Sequence, residues 1–294
     1  MNKFKKYTIS LLVIIFSLII FFNKNISSNI IKNTLVLWLD VIIPSVPVSY
    51  FLGSLIYNYN SLFLLIYPLF RKLLHFENST SFTLFIVSFI VGNPTSTVLI
   101  TDAYNNNQIT KSEASRLLRF SSFISFFFIL MVFDIALSIP ILISQVISSL
   151  LIAIFSKNSY STNVQKKVDF SITSIIEKLP KTLLIILSSM IVSSIIKIPL
   201  LILFKDSTYL IPTFLSYFEI TTGINTLNTL YSGIILLLFS SFLVSFEGIA
   251  ILLQITINIK KMMLSISDYL LYRIIHGIIA TLISIILFLF FNLF

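Results

Sequence analysis

Cysteine is absent from the 294 residues, which excludes disulfides, iron–sulfur clusters and thiolate metal sites. Histidine occurs only twice, at His75 and His276. The two lie far apart in the chain, and each reads as a loop or interface residue rather than a metal ligand. Charge is scarce as well: 11% of residues are Asp, Glu, Lys or Arg, against about a quarter in a soluble domain. There is no Gly-rich phosphate loop, no His-Glu-x-x-His and no Gly-x-Ser-x-Gly, so neither a common enzyme motif nor a cofactor motif is present. The expectation is a non-enzyme without metal or cofactor. What the chain does have is apolar residues, 57% of the total, with a mean hydropathy of +1.02. That composition predicts an all-α polytopic membrane protein. The net charge of +9 has no basic globular domain to carry it, which argues against nucleic acid as a partner. Lys and Arg are assigned to loops and lipid headgroups.

Taken in order, Lys3, Lys5 and Lys6 precede an apolar run over residues 9–22, with no small-residue cleavage site after it. Residues 1–32 therefore read as a retained first span of a multi-pass protein of the bacterial plasma membrane, with a cytoplasmic N-terminus. Residues 33–57 carry Trp38, Asp40, Pro44 and Pro47; they read as an interfacial helix that turns into a membrane segment at Pro44. Residues 61–70 are too short to span untilted. Thr110-Lys-Ser-Glu113 is a capping box, with Thr110 at the N-cap and Glu113 at N3 of a short interfacial helix. Residues 120–155 are too long for one span and are divided by Asp134 and Pro140 into two. The interval 157–181 is the most polar and reads as a cytoplasmic linker between a first half, 33–156, and a second, 182–294. The second half offers spans over 182–198, 232–253 and 269–294, with Lys260 and Lys261 leading a short amphipathic piece.

The first half contains a helix-like run interrupted by Gly92-Asn93-Pro94-Thr95-Ser96-Thr97. Gly92 weakens a helix, and Pro94 removes a donor and clashes with the preceding turn. Lipid does not satisfy the backbone groups freed by such a break, so the break must face protein or a cavity. Asn93, Thr95, Ser96 and Thr97 add side-chain donors and acceptors at the same depth. In the second half, Glu219-Ile-Thr221-Thr222-Gly223 repeats this chemistry with Gly223 as the break. The expected fold is thus a two-fold repeated helical bundle with a discontinuous helix in each half, a pattern that places a solute site between the repeats. Ionisable groups inside membrane segments are costly and mark function by default; these are Asp40, Asp102, Asp134, Glu219 and Glu247. Glu219 is the strongest of them. Glu247 has Gln254 two turns further along the same face. Plainer alternatives stand beside each: a proline kink with hydroxyls bonded back to the helix, a carboxylate paired with Lys or Arg, and Ser121, Ser122, Ser240 and Ser241 serving close packing.

The segment Gly92-Asn-Pro-Thr-Ser-Thr…Asp102-Ala-Tyr…Ile109-Thr-Lys-Ser-Glu-Ala-Ser-Arg-Leu-Leu118 resembles the Gly-Tyr-Pro-x-Gly-Ala-Lys…Ile-Ser-x-x-Glu-Ala-x-x-Leu-Leu segment of the YlbJ-type sporulation integral membrane proteins, of the nucleoside-recognition (Gate) domain group. Phe218-Glu-Ile-Thr-Thr-Gly223 is similar to that family's Leu-Glu-Ile-Thr-x-Gly, Phe246-Glu-Gly…Gln254 to its Phe-Gly-Gly…Gln, and Asp40-Val-Ile-Ile-Pro-Ser45 to its Val-x-Pro-Ser-Leu. The chain departs from the pattern where the Gly-Ala-Lys is Ser96-Thr97-Val98 and where Glu247 replaces a glycine. The resemblance implies a Gate-type bundle and a nucleoside-like or sporulation-related solute. Two readings follow. In one, the chain is a permease whose solute meets Asn93, Thr95, Ser96, Thr97, Glu219, Thr221, Thr222, Glu247 and Gln254. In the other, it is a non-transporting scaffold or assembly factor of the spore envelope (cortex). The lipid bilayer is the expected partner in both, with self-association left open.

Overall fold

The computed structural model describes residues 3–156, 172–204 and 206–291. The expected polar linker at 157–181 lies outside the described residues as far as residue 171. Among the described residues there is no strand, as the backbone in an apolar solvent requires of anything but a closed barrel. Five stretches of the described residues are long and apolar enough to cross a membrane: Lys24–Asn58, Ile135–Phe155, Ile176–Leu203, Gly233–Lys261 and Ile266–Phe290. A sixth arises if Phe63–Leu74 and Ser79–Val91, bent by 99°, count together. The chain fits an integral membrane protein. Helix faces agree with this: Ile278, Leu282, Ile286 and Leu289 point outward from the last helix while Ala280 and Ser284 are buried, small residues being what brings helices close in lipid.

The first element, α1 (Lys3–Phe22), is apolar from Tyr7 but shorter than a span. After Asn23, α2 (Lys24–Leu37) passes through a π-helical turn (Trp38–Ile42) straight into α3 (Ile43–Asn58). The turn expected at Pro44 is therefore replaced by one continuous helix. The physical reason is the wide turn: Ile43 N–H reaches back to Trp38 O, and Pro44, in the first turn of α3, needs no donor there. Trp38 Nε1 fastens this turn by donating to Leu183 O at 3.2 Å.

Then come α4 (Ser61–Leu74) and α5 (Ser79–Val91), joined through His75 in the left-handed region (φ 54°). Asn78 caps α5, accepting from Ser81 N–H at 2.9 Å. They are followed by α6 (Thr95–Asn105) and α7 (Lys111–Phe120). Instead of two membrane segments, residues 120–155 form a non-helical stretch over 121–125, a seven-residue α8 (Phe126–Val132), and one long α9 (Ile135–Phe155) that carries Pro140 inside it. The second part of the chain comprises α10 (Ile172–Leu203), α11 (Leu210–Ser216), α12 (Ile220–Leu230), α13 (Gly233–Phe246), α14 (Gly248–Lys261) and α15 (Ile266–Phe291). α15 packs most closely on α9 and α13, and α10 on α2, α3 and α14. Lys260 and Lys261 thus end α14 rather than lead a new helix.

Helix ends in this bundle are closed by side chains. Arg116, 1% exposed, donates to Leu74 O and to His75 O (3.2 Å) at the end of α4, and to Ser156 O just past the end of α9. Its charge is matched by Glu113 at 3.1 Å. This changes the expected capping box. Thr110 Oγ1 does accept from Glu113 N–H at 3.2 Å, but Glu113, held by Arg116, does not return the bond. Glu77 does so instead, accepting from Thr110 N–H at 3.2 Å and from Thr110 Oγ1 at 2.9 Å. Thr110→Ala removes the cap and one of these bonds; it is expected to lower stability by about 1–2 kcal/mol, read as a lower melting temperature of the detergent-solubilised protein.

Candidate functional site

Three interruptions of helix meet in the middle of the bundle. The first lies between α5 and α6. Gly92 (φ 67°) ends α5, the Asn93–Pro94 peptide is cis, and α6 starts at Thr95. Asn93 N–H donates to Phe123 O at 2.7 Å, tying the break to the non-helical stretch before α8. The second interruption lies between α11 and α12, where Glu219 caps α12 by accepting from Thr221 N–H at 2.9 Å and Thr222 N–H at 2.7 Å. Gly223 is therefore not the break. It sits inside α12, where a Cβ would come within 2.2 Å of Ser216 O, so the glycine allows α11 and α12 to approach. The third interruption is Glu247 itself (φ 79°), between α13 and α14, followed by Gly248 (φ 72°).

Asn93 connects the first interruption to the third. Its Nδ2 donates to Glu247 Oε1 at 2.6 Å, while its Oδ1 accepts from Ser96 Oγ at 2.5 Å and Thr97 Oγ1 at 2.8 Å. Glu247 Oε2 accepts from Tyr269 OH at 2.8 Å, and Arg273 Nη1 stands 3.8 Å from Oε1. Glu247 and Arg273 are both wholly buried. Arg273 also donates to Ser122 O (2.7 Å), Arg119 O (2.8 Å) and Ser245 O (3.4 Å), carbonyls freed where α7 and α13 end. His276, expected in a loop or interface, is buried one turn beyond Arg273, its ring nitrogens at 3.3 Å from Ser245 O and 3.2 Å from Gln145 O. Glu247, Tyr269, Arg273 and His276 thus form an internal cluster that locks the interruptions together, with Arg273 Nε left as its one buried donor without a partner.

Beside this cluster is a cavity of about 50 Å³. Asn93, Pro94 and Thr95 line it from the first interruption, Glu219, Ile220 and Thr221 from the second, and Gln254 from α14. Apolar walls come from Ile186 and Met190 of α10 and Phe128 of α8. Thr221 Oγ1 and Gln254 Oε1 are buried and have no hydrogen-bond partner. Gln254 Nε2 is held by Ser189 Oγ. Two of Glu219's carboxylate lone pairs are taken by backbone amides at the start of α12, leaving acceptor capacity. The wall therefore offers unmet acceptors at Glu219 and Gln254 and one hydroxyl, Thr221, free to accept or donate. A buried orphan acceptor costs about 1–3 kcal/mol, so a guest that brings donors is stabilised there. A water needs about 10–15 Å³ of such space; the cavity takes a few waters or a small ion, and a nucleoside-sized guest requires it to open.

Of the residues singled out in the sequence, Asn93, Thr95, Glu219, Thr221 and Gln254 stand at the cavity wall. Ser96, Thr97 and Glu247 do not line the cavity; they bond to Asn93 and so hold it in place. Thr222 likewise stands off the wall, its Oγ1 accepting from Lys197 Nζ at 2.9 Å and donating to Glu219 O. Asp102 pairs with Lys178 at 2.7 Å, outside the cavity. Asp40 and Asp134 are exposed. Lys197, Tyr269 and Arg273 are bundle-interior groups that the sequence reading, centred on the acids, does not single out, and His276 is interior rather than in the expected loop or interface. An Arg and a His three apart in an apolar helix carry the same signal. Comparison of the chain with protein-family models, curated proteins and solved structures gives no match. A wider recess of about 460 Å³ shares Pro94 and Gln254 with the cavity and is lined by Asp102, Lys178, Lys181 and Lys261. Those two residues thus border both the cavity and the recess.

Proposed function

We propose that the protein is a permease-like membrane protein that binds, and moves, a small donor-bearing solute in the cavity between its helix interruptions. The observation that carries this reading is a pair of buried, unpartnered polar groups, the Thr221 hydroxyl, which can donate or accept, and the Gln254 Oε1 acceptor, beside the Glu219 carboxylate. Ammonium, an amine, a polyol or a hydrated cation supplies what this wall lacks, and a nucleoside's ribose hydroxyls do so once the cavity widens. In support of this reading we infer a two-fold repeat from two pairs of matched positions. Gly92 and Glu247, both at positive φ, are 155 positions apart, and so are the caps Thr110 and Ser265, each accepting from the N–H three residues on (Glu113 and Asp268, both at 3.2 Å). This register pairs the first interruption with Glu247, not with the segment at Glu219 that the sequence suggests. Interruptions related in this way and meeting at one site suit a binding site between moving halves.

The competing reading, a non-transporting scaffold, draws on the small size of the closed cavity. The test is thermal stabilisation of the purified protein by a panel of monovalent cations, amines, polyols, nucleosides and nucleobases, with Glu219→Gln and Thr221→Val alongside. A ligand at about 100 times its Kd adds about 2.7 kcal/mol to the native state. We expect a rise of several degrees in the wild type that is lost in Glu219→Gln and reduced in Thr221→Val. A panel that moves neither wild type nor variants, with no uptake into vesicles, favours the scaffold.

A further inference from the structure

The outer recess continues into a groove with the chemistry of an anionic lipid site. The recess lies where two membrane stretches end: Lys178 and Lys181 are at the start of Ile176–Leu203, and Lys261 closes Gly233–Lys261. Lys178 is engaged by Asp102 at 2.7 Å; Lys181 and Lys261 are exposed. Glu177, exposed, is the one other acid among the described residues that line the recess or the groove. From this cationic end a groove of about 680 Å³ runs between α10 and α14. It shares Lys181, Ile185, Gln254 and Ile257 with the recess. Its length follows one stripe of α10, from Lys181 through Leu184 and Ser188 to Val192. At 1.5 Å per residue this is roughly 16 Å, about half of a 30 Å hydrocarbon core. The groove walls are apolar and open sideways, with Leu184, Val192, Leu253 and Ile257 all exposed.

We propose that the recess and groove together seat one anionic phospholipid of the bilayer, its phosphate between Lys181 and Lys261 and one acyl chain along α10 and α14. Charge decides the headgroup: a phosphate neutralises two lysines that, among the described residues, have no acid partner in contact, and each such contact near a membrane surface favours an anionic over a zwitterionic lipid. Length decides the chain: a groove of one leaflet's depth matches an acyl chain that starts at the headgroup level. The site stands independently of any solute in the inner cavity, although Gln254 borders both.

Native mass spectrometry of the detergent-solubilised full chain, titrated with phosphatidylglycerol or phosphatidylcholine of the same acyl chains, tests this. One phosphatidylglycerol is expected to bind about tenfold more tightly than phosphatidylcholine. The preference should vanish in Lys181→Gln/Lys261→Gln and persist in Lys181→Arg/Lys261→Arg, which reports on charge rather than folding. Ser188→Phe, filling the groove from its lipid-facing side, should weaken both lipids. Equal binding of the two lipids by the wild type, or a preference unchanged in the glutamine variant, overturns the proposal. Competition by inorganic phosphate as effective as by the lipid assigns the lysines to a soluble anion and overturns it too.

Discussion

Arg273→Met is expected to destabilise the protein by about 3–5 kcal/mol, the cost of leaving a buried charge without its partner. Arg273 is wholly buried, faces Glu247 at 3.8 Å and donates to the carbonyls of Ser122, Arg119 and Ser245. Methionine fills much of the same volume, so the loss is electrostatic rather than a cavity. Three carbonyls at helix ends lose a donor, and the Glu247 carboxylate retains only Asn93 and Tyr269. Removing the stranded charge should return part of the loss: Glu247→Gln/Arg273→Met is expected to melt above Arg273→Met alone, because coupled neighbours are not additive. The measurement is the melting temperature in detergent with size-exclusion recovery after heating. An Arg273→Met protein within about 1 kcal/mol of wild type would show that the cluster does not hold the interruptions together; single surface changes stay within about that range.

Gly92→Ala is the second change expected to be severe, at about 3 kcal/mol or more, since backbone strain and an internal clash combine. The residue has φ 67° and ψ 175°, a region almost closed to residues with a Cβ. A Cβ built there lies 2.2 Å from Ser125 N and 2.7 Å from Ser125 Cα. Backbone, not a flexible side-chain tip, is in the way, so the first interruption must move off the stretch before α8. The Asn93 N–H bond to Phe123 O is lost with it. Asn93 then leaves the cavity wall, and solute stabilisation should fall together with stability. Gly233→Ala is the matched control. Its φ is 57° but nothing lies within 4 Å of a built Cβ, so only the left-handed cost of roughly 1–2 kcal/mol applies. Equal melting temperatures for the two variants would show that close approach to Ser125 does not constrain the break.

Much of the architecture was legible as local chemistry. The helical membrane class follows from apolar content alone, because lipid leaves the backbone no other open arrangement. The break at Gly92–Pro94 follows from two residues that cannot continue a helix without cost, and the cap at Thr110 from its hydroxyl three residues before Glu113. The same local logic failed where a partner from elsewhere in the fold intervened. Pro44 looked like a turn, but a π-helical turn pinned by Trp38 to Leu183 lets the helix run on. Gly223 looked like a break, yet its hydrogen atom serves contact with Ser216 O, 7 residues earlier in sequence and on another helix.

The candidate site divides along the same line. That Asn93, Glu219, Glu247 and Gln254 are costly groups in an apolar chain is a property of the residues themselves, and the sequence by itself determined that they needed partners. Which of them found partners was decided only by the tertiary structure. Asn93 and Glu247 are 154 positions apart yet bonded at 2.6 Å, which turns Glu247 from a solute ligand into the support of one. Glu219 caps its own helix with acceptor capacity to spare, while Thr221 keeps an unmet hydroxyl and Gln254 an unmet acceptor at the cavity wall. A hydrogen-bond deficit is a sum over neighbours in space, so the residue type sets the need and only the packed bundle determines whether it is met.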